Sequence, residues 1–213
     1  MITVREAFLH YRSMEFPLID LAASFQLENG FWLLTGDSGI GKTSFLRLLS
    51  GWFTRNEKAT VNWKIACDWD VLSDVDFVGS EGSLFPWFNV GKNIRIRNPG
   101  SSQEDVVKVL SALRLDSRVL GMWPYELSLG MYKRIEFASA LLHLRRVLIL
   151  DEFFSSLDHD SRSGCMELLT TFNQNRIVIL TTHTPESVSV LKPRKLLLRN
   201  DSNIRTITSV VLD

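Results

Sequence analysis

The chain has 213 residues, 45% of them hydrophobic and 23% charged, the composition of a globular protein with a core of its own. Its 24 Lys and Arg balance 24 Asp and Glu, so no global field recruits nucleic acid or an anionic membrane surface. The two cysteines, Cys67 and Cys165, lie far apart without a C-x-x-C spacing, which points away from a zinc site or a disulfide scaffold and fits a reducing compartment.

The start, MITVREAFLHYRS, lacks the apolar core of a signal peptide, and no apolar run approaches the ~20 residues needed to cross a bilayer. GFWLLTG at 30–36 reads as a short buried strand running into a glycine turn, and TSFLRLLSGWF at 43–53 has the apolar spacing of one helix. Residues from about 85 to 145 read as mostly helical, with SSQEDVVKVLSALRL at 101–115 the clearest amphipathic stretch. RVLILDE at 146–152 and RIVILTTH at 176–183 are apolar, β-branched runs that end in polar residues, as buried parallel strands do. Between them DSRSGCMELLTTF at 160–172 reads as a helix entered from an Asp or Ser cap. The tail at 194–212 alternates around NDSN, which predicts a hairpin at the edge of the core. Strands alternating with helices imply an α/β fold with a parallel sheet and a helical insert.

The segment GDSGIGKTS at 36–44 meets the pattern G-x-x-x-x-G-K-S/T through Gly36, Gly41, Lys42 and Thr43, between a strand and a helix. Glycines let the backbone curl round phosphate oxygens with its N–H groups pointing at them, and the helix beginning near Lys42 adds its positive end. Lys42 is placed to reach the β- and γ-phosphates of a nucleotide and Thr43 to ligate Mg²⁺. Asp151, after the apolar run VLIL, can hold that Mg²⁺ directly or through water. Glu152 follows at the strand end, suited to polarise an attacking water as general base. The plain alternative, a glycine turn and two solvated acids, leaves the co-occurrence of these features unexplained.

Taken together, the motifs resemble those of the ATP-binding cassette (ABC) ATPases, the nucleotide-binding subunits of ABC transporters. YELSLGMYKRIEFASALL at 125–142 is similar to the family's signature region, usually LSGGQ and followed by a basic helix. LILDEFFSSLD at 148–158 resembles Walker B, catalytic glutamate and D-loop in one run, and TTH at 181–183 resembles the switch histidine. The resemblance implies a P-loop NTPase fold: a RecA-like parallel-sheet core with N-terminal antiparallel β elements and a helical subdomain. It also implies a single cassette over 1–213, with the core at 1–84 and 146–213 and the helical subdomain at about 85–145. By the same resemblance Ser38, Gly39, Gly41, Lys42, Thr43 and Ser44 hold the phosphates of ATP, Asp151 serves Mg²⁺, Glu152 the water, and His183 senses the γ-phosphate. Tyr11, with Phe8 as a rival, stands where the family places an aromatic that stacks on adenine. In this family two cassettes sandwich two ATP molecules, so Ser128 and Gly130 serve the nucleotide of a second cassette and Asp158 crosses the dimer interface.

Two departures stand out. Ser80 occupies the place of a glutamine that contacts Mg²⁺ and the attacking water, and the signature reads LSLGM, with Leu129 for the first glycine and Met131 for the glutamine. Bulk at Leu129, where backbone must approach a phosphate, implies slow hydrolysis at the site this signature completes and a different cassette as partner. The segment LFPWFNV at 84–90 lies where the family docks an integral-membrane subunit, across about 80–95, and its aromatics are costly to leave in water. LFPW is also similar to cassettes of importers for small anions, metals or thiamine-like solutes. The expected protein is an ATPase on the cytoplasmic face of the cell membrane, held there by that subunit and paired with a second cassette, as homo- or heterodimer. A soluble assembly ATPase and a weakly hydrolysing regulatory subunit are the alternatives.

Overall fold

The computed structural model describes all residues except 23, 56–60, 71–72, 80–81, 173–174, 201–205 and 213. The chain opens with β1 (Ile2–Tyr11), β2 (Ile19–Leu21), β3 (Phe25–Leu27) and β4 (Gly30–Thr35), then α1 (Lys42–Leu49), α2 (Trp52–Arg55), β5 (Val61–Cys67) and β6 (Val75–Val78). Three helices follow, α3 (Val90–Arg97), α4 (Gln103–Ala112) and α5 (Leu129–Leu142). The remainder is β7 (Val147–Leu150), α6 (His159–Phe172), β8 (Ile177–Leu180), β9 (Arg194–Arg199) and β10 (Ser209–Leu212).

These elements form two sheets. β1 pairs antiparallel with β2, β3 and β5 in a four-stranded sheet. The larger sheet runs β10-β9-β4-β8-β7-β6, parallel throughout except for β10, which closes the edge as a hairpin with β9. That hairpin is the one expected at 194–212; the NDSN turn reaches residues outside those described. Every residue of β7 and β8 is buried. Successive side chains point to opposite faces, so each strand feeds two cores. Leu148, Leu150, Val178 and Leu180 pack with α3, α4, α5 and α6, whereas Val147, Ile149, Ile177 and Ile179 pack with the antiparallel sheet and α1. Fully burying a side chain of this size contributes about 1.5–3 kcal/mol, and the double-sided burial explains why these runs read as uninterrupted apolar sequence.

One expected element is corrected. The helix over 43–53 is two, because Gly51 adopts φ 67° and the chain turns there. A left-handed residue just past a helix end favours glycine, which has no Cβ to clash. α1 therefore stops at Leu49, its last turn closed by Ser50 N–H donating to Leu46 O (3.0 Å).

Between Val90 and Leu142 stand α3, α4 and α5 and, among the described residues, no strand. Ser102 caps α4 and Asn89 caps α3, each accepting from a backbone N–H three residues on. Phe137 of α5 stacks on Phe153 with ring centroids 4.9 Å apart, pinning the helical region to the chain just after β7.

Candidate functional site

β4, β8 and β7 are parallel neighbours, so their carboxyl ends lie side by side at one edge of the sheet. The glycine loop follows β4, the Asp151–Glu152 pair follows β7, and residues 181–183 follow β8. Ligands bind at that end of open α/β sheets because loops and helix N-termini converge there.

In the loop, Gly41 is the N-cap of α1 with φ 111° and no side-chain cap, and α1 carries no acid in its first turn. The first N–H groups of α1 are thus left for an anion. Gly39 has φ 75° and no heavy atom within 4 Å of where a Cβ would stand, so its backbone lies open to an approaching phosphate. Lys42 Nζ folds back over the loop and donates to Gly36 O (2.9 Å) and Asp37 O (3.1 Å), contacts that a phosphate can replace. Ser38 lies inside this loop, and Thr43 and Ser44 in the first turn of α1. Tyr11, the last residue of β1, sets its hydroxyl 3.3 Å from Ser44 Oγ and its ring edge-on to Phe53. Phe8, three residues earlier, faces the other side of the strand, beside His10.

Asp151 is 4% exposed. Thr181 Oγ1 donates to its Oδ1 (2.7 Å) and accepts from Glu152 N–H (2.9 Å). One hydroxyl thus ties the acid pair of β7 to the end of β8, and it orients the carboxylate. Glu152 has φ 51° and ψ 25°, a left-handed conformation costly for a residue with a side chain and concentrated at functional sites. Its Oε1 lies 3.5 Å from His183 Nε2, while Oε2 is buried without a hydrogen-bond partner among the described residues. A buried carboxylate oxygen without a donor is a place for an ordered water or a ligand proton. For Mg²⁺ the donor set fits: Thr43 and Asp151 offer one hydroxyl and one carboxylate, and this ion takes few protein oxygens besides phosphate and water.

Ser128, in the LSLGM stretch between the glycine loop and the acid pair in sequence, caps α5 and accepts from Met131 N–H (3.2 Å). Leu129, the first residue of α5, is 68% exposed, and Gly130 has open space where a Cβ would stand. Among the described residues neither Ser128 nor Gly130 bonds to Lys42, Asp151 or Glu152. Asp158 accepts from the N–H and hydroxyl of Ser161 at the start of α6; the backbone bond, first, and the hydroxyl hold its carboxyl below the usual range.

Ser80 lies outside the described residues, but its flanks are held firmly. Lys133 and Glu136 of α5 are buried and paired with each other (3.3 Å). Lys133 Nζ also donates to Gly79 O, and Glu136 accepts from Ser83 N–H. Tyr132 Oη accepts from Leu84 N–H (3.0 Å), so one helix grips the chain on both sides of residues 80–81.

Two of these groups, Thr181 and the Lys133–Glu136 pair, escape sequence reading. The threonine's only signal is its position after an apolar run, and the pair looks like any charged helix face until Gly79 and Ser83 are seen bonded to it.

A glycine loop between strand and helix, with an acid pair on the neighbouring strand end, defines a P-loop nucleoside triphosphatase. The sequence model of the ABC transporter family matches residues 22–155, and the chain belongs to that family. It is 34% identical over 174 residues to the aliphatic sulfonates import ATP-binding protein SsuB 1 of Rhodococcus jostii, covering 81% of this chain and 69% of that protein. It is 32% identical over 161 residues to the Fe(3+) ions import ATP-binding protein FbpC of Pseudomonas fluorescens, covering 70% of this chain and 46% of that one. The chain thus spans about half the length of the FbpC relatives it matches, including that of Yersinia pestis (52%). A solved bacterial Atm1-family ABC exporter with ATP bound shares the fold, with TM-score 0.75 and 17% identity over 98% of this chain and 38% of its own. Family membership implies ATP binding. No helix among the described residues is long and apolar enough to cross a membrane.

Proposed function

We propose that this chain is the ATP-binding subunit of an ABC transporter, which binds ATP at the 36–44 loop and hydrolyses it in a dimer of cassettes to power transport through a separate membrane subunit. The observation that carries this is Glu152, strained and with one oxygen unpartnered, beside His183 and at the same sheet edge as the glycine loop. In this reading the cassette has its core at 1–84 and 146–213 and its helical part at about 85–145.

Gly36, Ser38, Gly39, Gly41, Lys42, Thr43 and Ser44 bind the phosphates through backbone N–H groups, hydroxyls and one ammonium. Tyr11 meets the adenine. Thr43 and Asp151 would hold Mg²⁺, which when bound offsets phosphate charge. Glu152 takes a proton from water as the water oxygen bonds to the γ-phosphorus and the bond to the bridging oxygen breaks, a role that contributes about 10²–10⁴-fold. His183 orients toward the γ-phosphate. Ser128 and Gly130 serve the nucleotide of a second cassette, donors that act only when the dimer closes.

The partner reading is supported by the names of the relatives, which are import ATP-binding proteins, and by Phe85 and Trp87, 43% and 63% exposed in the 80–95 segment. Those two names cover unlike solutes, a metal ion and organic sulfonates, so the proposal stops at import of a small solute. The chain then works at the cytoplasmic face of the cell membrane. Affinity purification from host membranes in mild detergent tests it: a multi-span membrane protein should accompany the chain, and a purely soluble complex would contradict it.

Exposed Leu129 favours a second reading within the same family, a chain whose signature completes a weak site in a heterodimer. Leu129→Gly should then raise turnover of the purified chain; an unchanged rate counts against it.

A further inference from the structure

Asp76 is a buried carboxylate far from the glycine loop in sequence, on β6, an edge strand of the larger sheet, and it is 2% exposed. A buried charge is costly unless partners surround it. Arg97, in the last turn of α3, donates to its Oδ1 (2.8 Å). His143, the C-cap of α5, sets Nδ1 3.1 Å from the same oxygen, and Arg145, between α5 and β7, sets Nε 3.9 Å from it. Oδ2 is buried and has no hydrogen-bond partner among the described residues. The four side chains stand together in the wall of a cleft of about 620 Å³ that also takes in Trp52 and Asn93.

The His143 ring has two neighbours of opposite demand. Arg145 Nε–H lies against it, 3.0 Å from Nδ1 and 3.3 Å from Nε2, and a guanidinium can only donate. The Asp76 carboxylate can only accept. One neutral tautomer serves both: Nδ1–H donates to Asp76 while the Nε2 lone pair accepts from Arg145. A second proton, on Nε2, removes that acceptor and leaves an imidazolium and a guanidinium in contact. An unfilled acceptor is at hand in Asp76 Oδ2, on the carboxylate that Arg145 already approaches.

The backbone beneath is held still. Arg176, 4% exposed and just before β8, donates through Nε to Arg145 O (2.7 Å) and through its terminal nitrogens to Ala140 O (3.3 Å) and Leu141 O (3.5 Å). Arg146 pairs with Asp74 at 3.4 Å. An imidazole changes charge between about pH 5 and 8, whereas arginines stay charged there. Burial raises the Asp76 carboxyl, but the His143 bond and Arg97 outweigh it and hold it below its ordinary value, so it too stays charged. Of the groups that meet here, Asp76 from β6, Arg97 from α3, Arg145 and Arg176, none but His143 titrates in that range.

We propose that His143 is a proton-operated selector for Arg145: the neutral ring holds Arg145 on Nε2, and the imidazolium passes it to Asp76 Oδ2. With the proton on, two side chains instead of one tie the edge strand β6 to the connection between α5 and β7, and the cleft wall carries one more positive charge. The selector stands apart from the nucleotide site and from the reading given to it.

NMR of the intact, isotope-labelled chain between about pH 5 and 8 tests this. The ring nitrogens of His143 should carry the proton on Nδ1 throughout and on Nε2 only in the acidic part, and the Arg145 Nε resonance should shift along the same curve. In His143→Gln, which has no titrating ring, that shift should be absent. In Asp76→Asn, which keeps the shape without the charge, ring protonation should free Arg145, read as a fall in the heteronuclear NOE at Nε. A neutral ring with its proton on Nε2 overturns the proposal, and so does an Arg145 resonance that ignores the His143 curve or shifts equally in His143→Gln. Arg145 equally ordered in acidified Asp76→Asn removes Oδ2 as its acceptor and overturns it as well. Should a variant fail to fold, the wild-type curves decide alone, since separate midpoints for the ring and for Arg145 contradict a shared proton.

Discussion

Removing Glu136 should destabilise the chain more than its place on a helix suggests. Its side chain is fully buried, bonded to Lys133, itself 7% exposed, and to the backbone of Ser83. Glu136→Leu leaves the Lys133 ammonium in the interior with Gly79 O as its acceptor. Breaking a buried pair from one side costs about 3–5 kcal/mol, because the remaining charge is neither solvated nor paired. For a chain of this size each kcal/mol lowers Tm by about 2–4 °C, so the expected fall is roughly 6–20 °C. The double variant Lys133→Met, Glu136→Leu removes both charges in near-matching volume and should be the milder of the two. Its remaining cost is the buried Gly79 carbonyl left without a donor and the Ser83 N–H left without its acceptor, which the single variant loses too, about 1–3 kcal/mol for each group. Urea unfolding of wild type, single and double variants measures all three. A single variant within 1 kcal/mol of wild type, or a double variant as unstable as the single, would refute the pairing argument.

Thr181→Val keeps the shape but removes the hydroxyl between Asp151 and Glu152 N–H. ATP turnover should fall at least tenfold, and stability by about 1–3 kcal/mol, with ATP affinity retained; steady-state kinetics and a binding isotherm separate the two effects. Burial raises the Asp76 carboxyl, but the His143 hydrogen bond and Arg97 outweigh it and hold it below its ordinary value. A depressed native value contributes stability above the unfolded value of ~3.9 that disappears as pH falls through the native one. The urea midpoint should therefore drop below pH ~4 in wild type and less steeply in Asp76→Asn; parallel profiles would contradict this. Burial pushes the Cys165 thiol up to about 12. Iodoacetamide at pH 8 should leave Cys165 unmodified in the native chain and label it in urea, as read by mass spectrometry.

The elements legible in the sequence are those whose pattern is local. β7 and β8 are four-residue runs buried on both faces, and the glycine loop announces itself by composition and spacing. β1 is different: Ile2 and Val4, then Ala7 and Leu9, are its buried positions, because the register shifts between Val4 and Glu6. That bulge reverses the alternation midway and blurs the period-2 signal. The end of α1 at Gly51 was hidden because apolar spacing continues through Trp52 and Phe53 into α2. The 3.5 Å approach of His183 to Glu152 follows from the pairing of β7 with β8, which no local pattern encodes. Thr181 and the Lys133–Glu136 pair owe their roles to that same long-range assembly.

ATP binding and turnover measured on the same samples bear most directly on the nucleotide site. Wild type, Lys42→Ala and Glu152→Gln should be compared across protein concentration. Saturable ATP binding is expected for wild type and Glu152→Gln, weakened about 10–100-fold in Lys42→Ala through loss of one charged hydrogen-bonding group. Any turnover should rise faster than linearly with protein and vanish in Glu152→Gln. Absence of saturable binding, or binding and turnover indifferent to Lys42 and Glu152, would contradict the assignment of the 36–44 loop and the β7 acid pair.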